Sequence, residues 1–199
     1  MLNKLRDSLQ PTMTKMGRSF AATGLSANFW TGISLALSIA GGVAYGSAAL
    51  GYPWYLSAVV GGVLLLVSGF FDLVDGNVAR VTGKTSKKGA FLDSSFDKIA
   101  ETVIFAGIAA GGLAQPLWCL VALALSLLVS YARARAESLG VELKGIGIGE
   151  RAERLLIVAI IGFIPFTEAM NWAMIVVSAV AGITLIQRVV LTYRKLSST

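Results

Sequence analysis

Long apolar runs punctuate this 199-residue chain, and with the spans they suggest, all 17 lysines and arginines fall on one side or at its boundary. That arrangement leaves few folds open. Apolar stretches near 29–50, 53–72, 93–114, 116–138, 153–167 and 169–192 reach or approach the roughly 20 residues that cross a bilayer. In lipid the backbone must satisfy its own polar groups, and for runs of this length a helix does so. With 55% hydrophobic and 14% charged residues, the sequence predicts an all-α integral membrane protein with six transmembrane helices. It reads as one domain over residues 1–199, with the six-helix bundle at 29–192. Abundant Gly and Ala inside the runs suit helices that approach closely.

Residues 1–23 precede the first run. Leu2, Leu5, Leu9, Met13 and Met16 recur at helical spacing among Lys4, Arg6, Lys15 and Arg18, which predicts an amphipathic helix lying at the membrane interface. Pro11 is expected to kink or interrupt it; the alternative is a loosely bound polar leader. No cleavable signal pattern stands out. The connections near 46–52, 113–116 and 166–170 carry no Lys or Arg, so the positive-inside rule puts both termini and the charged loops in the cytoplasm of a multi-pass cell-membrane protein. The net charge of +6 is then explained by topology and anionic lipid, with no need for nucleic acid. Cys119 stands alone and reads as buried helix filler. Histidine is absent, which excludes a His-ligated metal and leaves carboxylate, lysine, tyrosine or the single thiol as a general base.

The chemistry concentrates between residues 72 and 97: Asp72-Leu73-Val74-Asp75-Gly76-Asn77-Val78-Ala79-Arg80, then Gly89, Asp93 and Asp97. Ionisable groups at membrane depth cost roughly 2.5–3.5 kcal/mol each on insertion scales and usually mark function. Asp72 and Asp75 are three apart and Asp93 and Asp97 four apart, so each pair shares a helix face. Four carboxylates brought together repel one another and would take up protons unless a cation neutralised them. A hard divalent ion is the natural cation, and a pair of such ions would stabilise charge on a transferring phosphorus. Gly76 and Gly89 leave room for a ligand, and Arg80 can grip a phosphate with two prongs. The alternative, helix caps and charge partners for Lys84, Lys87, Lys88 and Lys98, does not explain the whole pattern.

This run resembles the D-x2-D-G-x2-A-R-x8-G-x3-D-x3-D pattern of the CDP-alcohol phosphotransferase family, complete from Asp72 to Asp97. The resemblance implies displacement of CMP from a CDP-linked lipid by an alcohol, a six-helix fold and a homodimer. It also implies Mg²⁺ (two ions, with Mn²⁺ a possible substitute) held by Asp72, Asp75, Asp93 and Asp97, with Asp97 also the base. Gly76, Arg80 and Gly89 would hold the cytidine diphosphate. Gly24-Leu25-Ser26-Ala27-Asn28-Phe29-Trp30-Thr31 looks like the family's G-L-T-P-N-x-x-T segment, which adds Asn28 and Thr31 to the nucleotide site; Ala27 stands where the family has Pro. Asn28 could equally be the N-cap of the first spanning helix.

A second cluster holds Ser130-Tyr131-Ala132-Arg133-Ala134-Arg135-Ala136-Glu137, Glu150-Arg151-Ala152-Glu153-Arg154 and Gln187-Arg188. Of Arg133 and Arg135, two apart, one is expected to meet the ligand and the other Glu137 or headgroups, whereas Arg151 and Arg154 can face together. Arg188 could simply snorkel. Together they suggest a cationic pocket for an acceptor that carries phosphate. These segments resemble the K-A-R-A-E and E-R-P-E-R stretches of prokaryotic phosphatidylinositol-phosphate synthases, a branch of the family. By that likeness Ser130, Arg133, Arg154 and Arg188 bind the phosphate of inositol 1-phosphate, with Arg133 replacing the usual Lys and Ala152 the usual Pro. The donor would be CDP-diacylglycerol or CDP-archaeol. Glycerol 3-phosphate is the alternative acceptor; an ion- or proton-coupled transporter is the alternative class.

Overall fold

The computed structural model describes residues 2–143 and 145–197, with side chains from Gln10 onward. Seven helices account for nearly all of it: α1 (Leu2–Ala21), α2 (Ala27–Gly46, followed by a 3-10 turn at Ser47–Leu50), α3 (Trp54–Val81), α4 (Lys87–Ala110), α5 (Pro116–Ser138), α6 (Arg151–Gly162) and α7 (Ala169–Ser197). Among the described residues, four segments are long and apolar enough to cross a membrane: Ala27–Leu50, Trp54–Val81, Pro116–Ser138 and Ala169–Ser197. The protein is therefore a multi-pass membrane protein.

Several helices depart from the expected runs, α3 among them, which continues past residue 72 to Val81. α4 starts at Lys87 rather than 93, and Asp93, Asp97, Lys98 and Glu101 dilute its apolar character. α6 stops at Gly162, well short of 167, because Pro165 pushes the residue before it out of helical geometry. Its 12 residues rise only about 18 Å. Even so, α6 runs along the length of α3: Arg151 at its start meets Asp72, and the Phe163 carbonyl at its end accepts from the Tyr55 hydroxyl at 3.1 Å.

Polar and small residues bring the helices together, as expected where lipid removes the hydrophobic drive between them. Ser34, Ser38 and Ser68 are buried. They lock α2 to α3 through Ser34 Oγ to the Ser68 carbonyl (3.0 Å), Ser68 Oγ to the Ser34 carbonyl (2.9 Å) and a Ser38–Ser68 hydroxyl contact of 2.6 Å. α2 and α4 cross backbone to backbone, and a Cβ on Gly107 would strike the Gly42 carbonyl. Cys119 is buried, as expected.

α1 continues through Pro11, so the helix is not interrupted there. The amphipathic pattern of Leu2, Leu5 and Leu9 lies outside the described side chains. In the part that is described, Met13, Met16 and Phe20 are half-buried while Lys15 and Arg18 are exposed. Buried Gly17 rests on Asn77 of α3, where a Cβ would come within 3.0 Å of the Asn77 Cβ. Phe20 meets Trp30 edge-on at 5.0 Å, and Trp30 stacks on Phe71 at 5.5 Å, so α1 braces α2 against α3 next to Asp72, where the acidic run begins.

Candidate active site

α3 does not stop at Asp72 but carries on to Val81, so Asp72, Asp75, Gly76 and Arg80 all ride on one continuous helix. Ser86 caps α4, its hydroxyl accepting from the Gly89 N–H at 3.0 Å, and this sets Asp93 and Asp97 on the next turns. Where α3 and α4 meet, carboxylate oxygens of Asp72, Asp75 and Asp93 lie within 4.8 Å of one another. Asp75 is 4% exposed, and its Oδ2 is buried with no hydrogen-bond partner. A buried carboxylate oxygen left bare is costly. Three such groups at this spacing fit a hard divalent cation with oxygen ligands.

Asp97 is held differently. Arg151 Nη1 sits 2.6 Å from Asp97 Oδ1 and 3.1 Å from Asp72 Oδ2, one guanidinium nitrogen bridging two acids. Sequence reasoning placed Arg151 near Arg154 but gave it no role. The signal available was its position one residue past Glu150 at a helix start, where a side chain can reach across to a neighbouring helix.

Two cavities flank the acids. The smaller, about 200 Å³, is lined by Asn28, Thr31, Asp75, Gly76, Arg80, Gly89 and Asp93 among others. It thus gathers all five residues expected to hold the cytidine diphosphate. Ser26, not Asn28, caps α2, its hydroxyl accepting from the Phe29 N–H at 3.2 Å; the exposed Asn28 side chain is left to the cleft. A Cβ on Gly89 would come 3.7 Å from Asn28 Oδ1 and 3.2 Å from Ser86 Oγ. A Cβ on Gly76 would meet only Arg80 Nη2, at 3.7 Å, so the space over Gly76 is open cleft. Arg80 donates to Asn77 Oδ1 at 3.1 Å, and Asn77 is the residue on which α1 rests.

The larger cavity, about 920 Å³, is lined by Asp72, Asp93, Asp97, Ser130, Arg133, Arg151, Arg154 and Arg188 among others. All four expected acceptor residues are there, drawn from α5, α6 and α7, and Asp93 borders both cavities. The arginines already have partners. Arg133 pairs with Glu137 at 2.8 Å, both exposed. Arg188, 3% exposed, does not snorkel; its Nε and Nη1 donate to the carbonyls of Ile146 (3.0 Å) and Val129 (2.9 Å). Arg154, 1% exposed, pairs with fully buried Glu101. Glu101 was missed from sequence, although its place four residues beyond Asp97 continues the acidic face of α4.

A helical membrane protein with an aspartate knot beside two cavities is thereby defined. Residues 18–192 match the family model for CDP-alcohol phosphatidyltransferase, and the chain belongs to that family and is an enzyme of that class. It is 36% identical over 192 residues to the archaetidylinositol phosphate synthase of Pyrococcus horikoshii, covering 95% of each chain. It is 36% identical over 199 residues to that of Methanothermobacter thermautotrophicus, covering 98% of this chain and 96% of the relative. The phosphatidylinositol phosphate synthase of Streptomyces avermitilis is 41% identical over 150 residues, 68% of this chain and 62% of that protein. Among solved structures, the Mycobacterium tuberculosis phosphatidylinositol phosphate synthase with CDP-DAG bound superposes with a TM-score of 0.76 at 27% identity, covering 91% of this chain and 93% of that one. The same enzyme in complex with manganese and citrate gives 0.75 at 26% identity, covering 91% and 88%.

Proposed function

We propose that this chain transfers the phosphatidyl-type group of a CDP-linked lipid, CDP-diacylglycerol or CDP-archaeol, to inositol 1-phosphate and releases CMP. The observation that carries this reading is the meeting of the two cavities at Asp93: the smaller is lined by the nucleotide set, the larger by Ser130, Arg133, Arg154 and Arg188. The names of the relatives point the same way.

In this reading Asn28, Thr31, Gly76, Arg80 and Gly89 seat the cytidine diphosphate, and the arginines hold the acceptor's phosphate. Asp72, Asp75, Asp93 and Asp97 would hold divalent metal, Mg²⁺ in a pair of ions, which when bound would neutralise the diphosphate and stabilise charge on the transferring phosphorus. Asp97 takes the proton from an inositol hydroxyl. The hydroxyl oxygen then bonds to the lipid-side phosphorus, the bond from that phosphorus to the bridging oxygen breaks, and CMP leaves with the electron pair. Arg151 keeps Asp97 at the mouth of the acceptor cavity.

All six helices α2–α7 cross the membrane in this reading, as one domain with α1 at the interface and the site facing the cytoplasm. The run of α6 from Asp72 to Tyr55 alongside α3 supports its crossing despite its length. A homodimer is the assembly the family resemblance implies.

The reading is tested by CMP release from purified protein with Mg²⁺, offered inositol 1-phosphate, glycerol 3-phosphate, free inositol and serine in parallel. Inositol 1-phosphate is expected to turn over fastest; a preference for glycerol 3-phosphate would overturn the acceptor assignment while keeping the chemistry. Asp97→Asn should lower turnover by about 10²–10⁴-fold, the usual weight of a general base, and still bind CDP-lipid. A wild-type rate from that variant would remove Asp97 from the base role.

A further inference from the structure

Asp93, Asp97 and Glu101 sit at four-residue steps on α4: Asp93 borders both cavities, Asp97 lines the larger one, and Glu101 lies behind it against Arg154. Glu101 is the deepest of the three, 0% exposed. It takes two bonds from Arg154 on a single oxygen: Nε to Oε1 at 3.1 Å and Nη2 to Oε1 at 2.7 Å. Arg154 Nη1 donates to the Gly149 carbonyl at 2.9 Å. The same residue's N–H donates to Thr184 Oγ1 at 3.0 Å, and that hydroxyl bonds the Val180 carbonyl at 2.8 Å. A buried chain of hydrogen bonds thus ties α4 to α6, the loop before α6, and α7.

A guanidinium has five N–H donors in a rigid fork. Glu101 and Gly149 occupy three of Arg154's, and the remaining two belong to the terminal nitrogens of a side chain that lines the acceptor cavity. That leaves one N–H on each of Nη1 and Nη2, and donors on neighbouring guanidinium nitrogens can meet phosphate oxygens.

We infer that Glu101 is a positioning residue for the acceptor: it fixes the Arg154 guanidinium so that its remaining donors meet the phosphate of the incoming alcohol. Arg188 differs, since its Nε and Nη1 are held by backbone carbonyls and its acid partner, Glu150, is half-exposed and 4.0 Å away. Only at Arg154 does a buried acid set the angle of the fork. The alternative is a buried ion pair with a purely structural role, which would affect folding and both substrates alike.

The inference rests on the acceptor side of the proposed function, so wild-type protein is first assayed with inositol 1-phosphate and glycerol 3-phosphate. Absence of turnover with any phosphorylated acceptor is a failure of that function and shows in the wild type alone. With whichever phosphorylated acceptor the wild type uses, Glu101→Gln keeps an oxygen for Arg154 but weakens the clamp. It should raise the acceptor KM by about tenfold, the weight of a charge-assisted hydrogen bond. The CDP-lipid KM should stay near its wild-type value, and thermal unfolding in detergent should move little. Glu101→Ala should raise the acceptor KM further; should that variant not fold, Glu101→Gln carries the test. Parallel rises in both KM values with a lowered Tm would reduce Glu101 to a structural residue. An unchanged acceptor KM in folded Glu101→Gln would overturn the inference outright.

Discussion

The two cavities beside the aspartates are built on opposite plans. On the side of α2, α3 and α4, Thr31 and Asp75 are buried, but several other lining groups are exposed or lie next to open space: Asn28 and Arg80 are exposed, and nothing but Arg80 approaches Gly76. On the side of α5, α6 and α7, Arg154 and Arg188 are buried and already clamped by Glu101 and by backbone carbonyls. The difference suits the two ligands proposed for them. A tethered lipid nucleotide brings a large surface and can be met by groups that move. A small free acceptor offers few contacts, so its site gains by being rigid before it arrives.

Substitutions in the acidic cluster beside the cavities should have the largest effect. Asp75→Asn is expected to cut turnover by roughly 10⁴-fold and to abolish Mn²⁺ binding read by electron paramagnetic resonance; retained binding would separate Asp75 from the metal. On the rigid side, Arg154→Ala leaves Glu101 buried and unpaired, a loss of about 3 kcal/mol or more. It should show as a large fall in Tm together with a raised acceptor KM. On the open side, Arg80→Ala should raise the CDP-lipid KM by about ten- to a hundredfold with Tm unchanged. A Tm drop there comparable to Arg154→Ala would erase the contrast between the two cavities. The smallest effect is expected at Arg133→Gln, which breaks an exposed pair with Glu137: stability should change by under about 1 kcal/mol, with only the acceptor KM rising. A change in the CDP-lipid KM would move Arg133 to the other cavity.

Much of the nucleotide side could be read from the chain, because its residues are neighbours in sequence and their spacing is a helix spacing. Asp72 and Asp75 share a face, Arg80 follows two turns later, and Gly89 to Asp97 lie on the next helix. The acceptor residues could be named but not their state. Whether Arg188 snorkels or turns inward depends on the carbonyls of Ile146 and Val129, brought to it by a loop and by α5. Asn28 as a cap was a fair expectation from residue type; Ser26 won because it stands one residue before the first helical turn with its hydroxyl in reach of Phe29. α6 was drawn too long since its apolar run continues to Phe166, while Pro165 ends the helix earlier.

Apolar run length, the one-sided placement of cations and the periodicity of the acids are local properties, and the sequence by itself determined the membrane class, the helices and the acidic knot from them. Partnership between distant charges is not local. That Arg151 bridges Asp72 and Asp97, and that Glu101 clamps Arg154, was decided only by tertiary packing. A buried charge takes whichever counter-charge the folded helices bring within 3 Å or so, and no spacing along the chain encodes that distance.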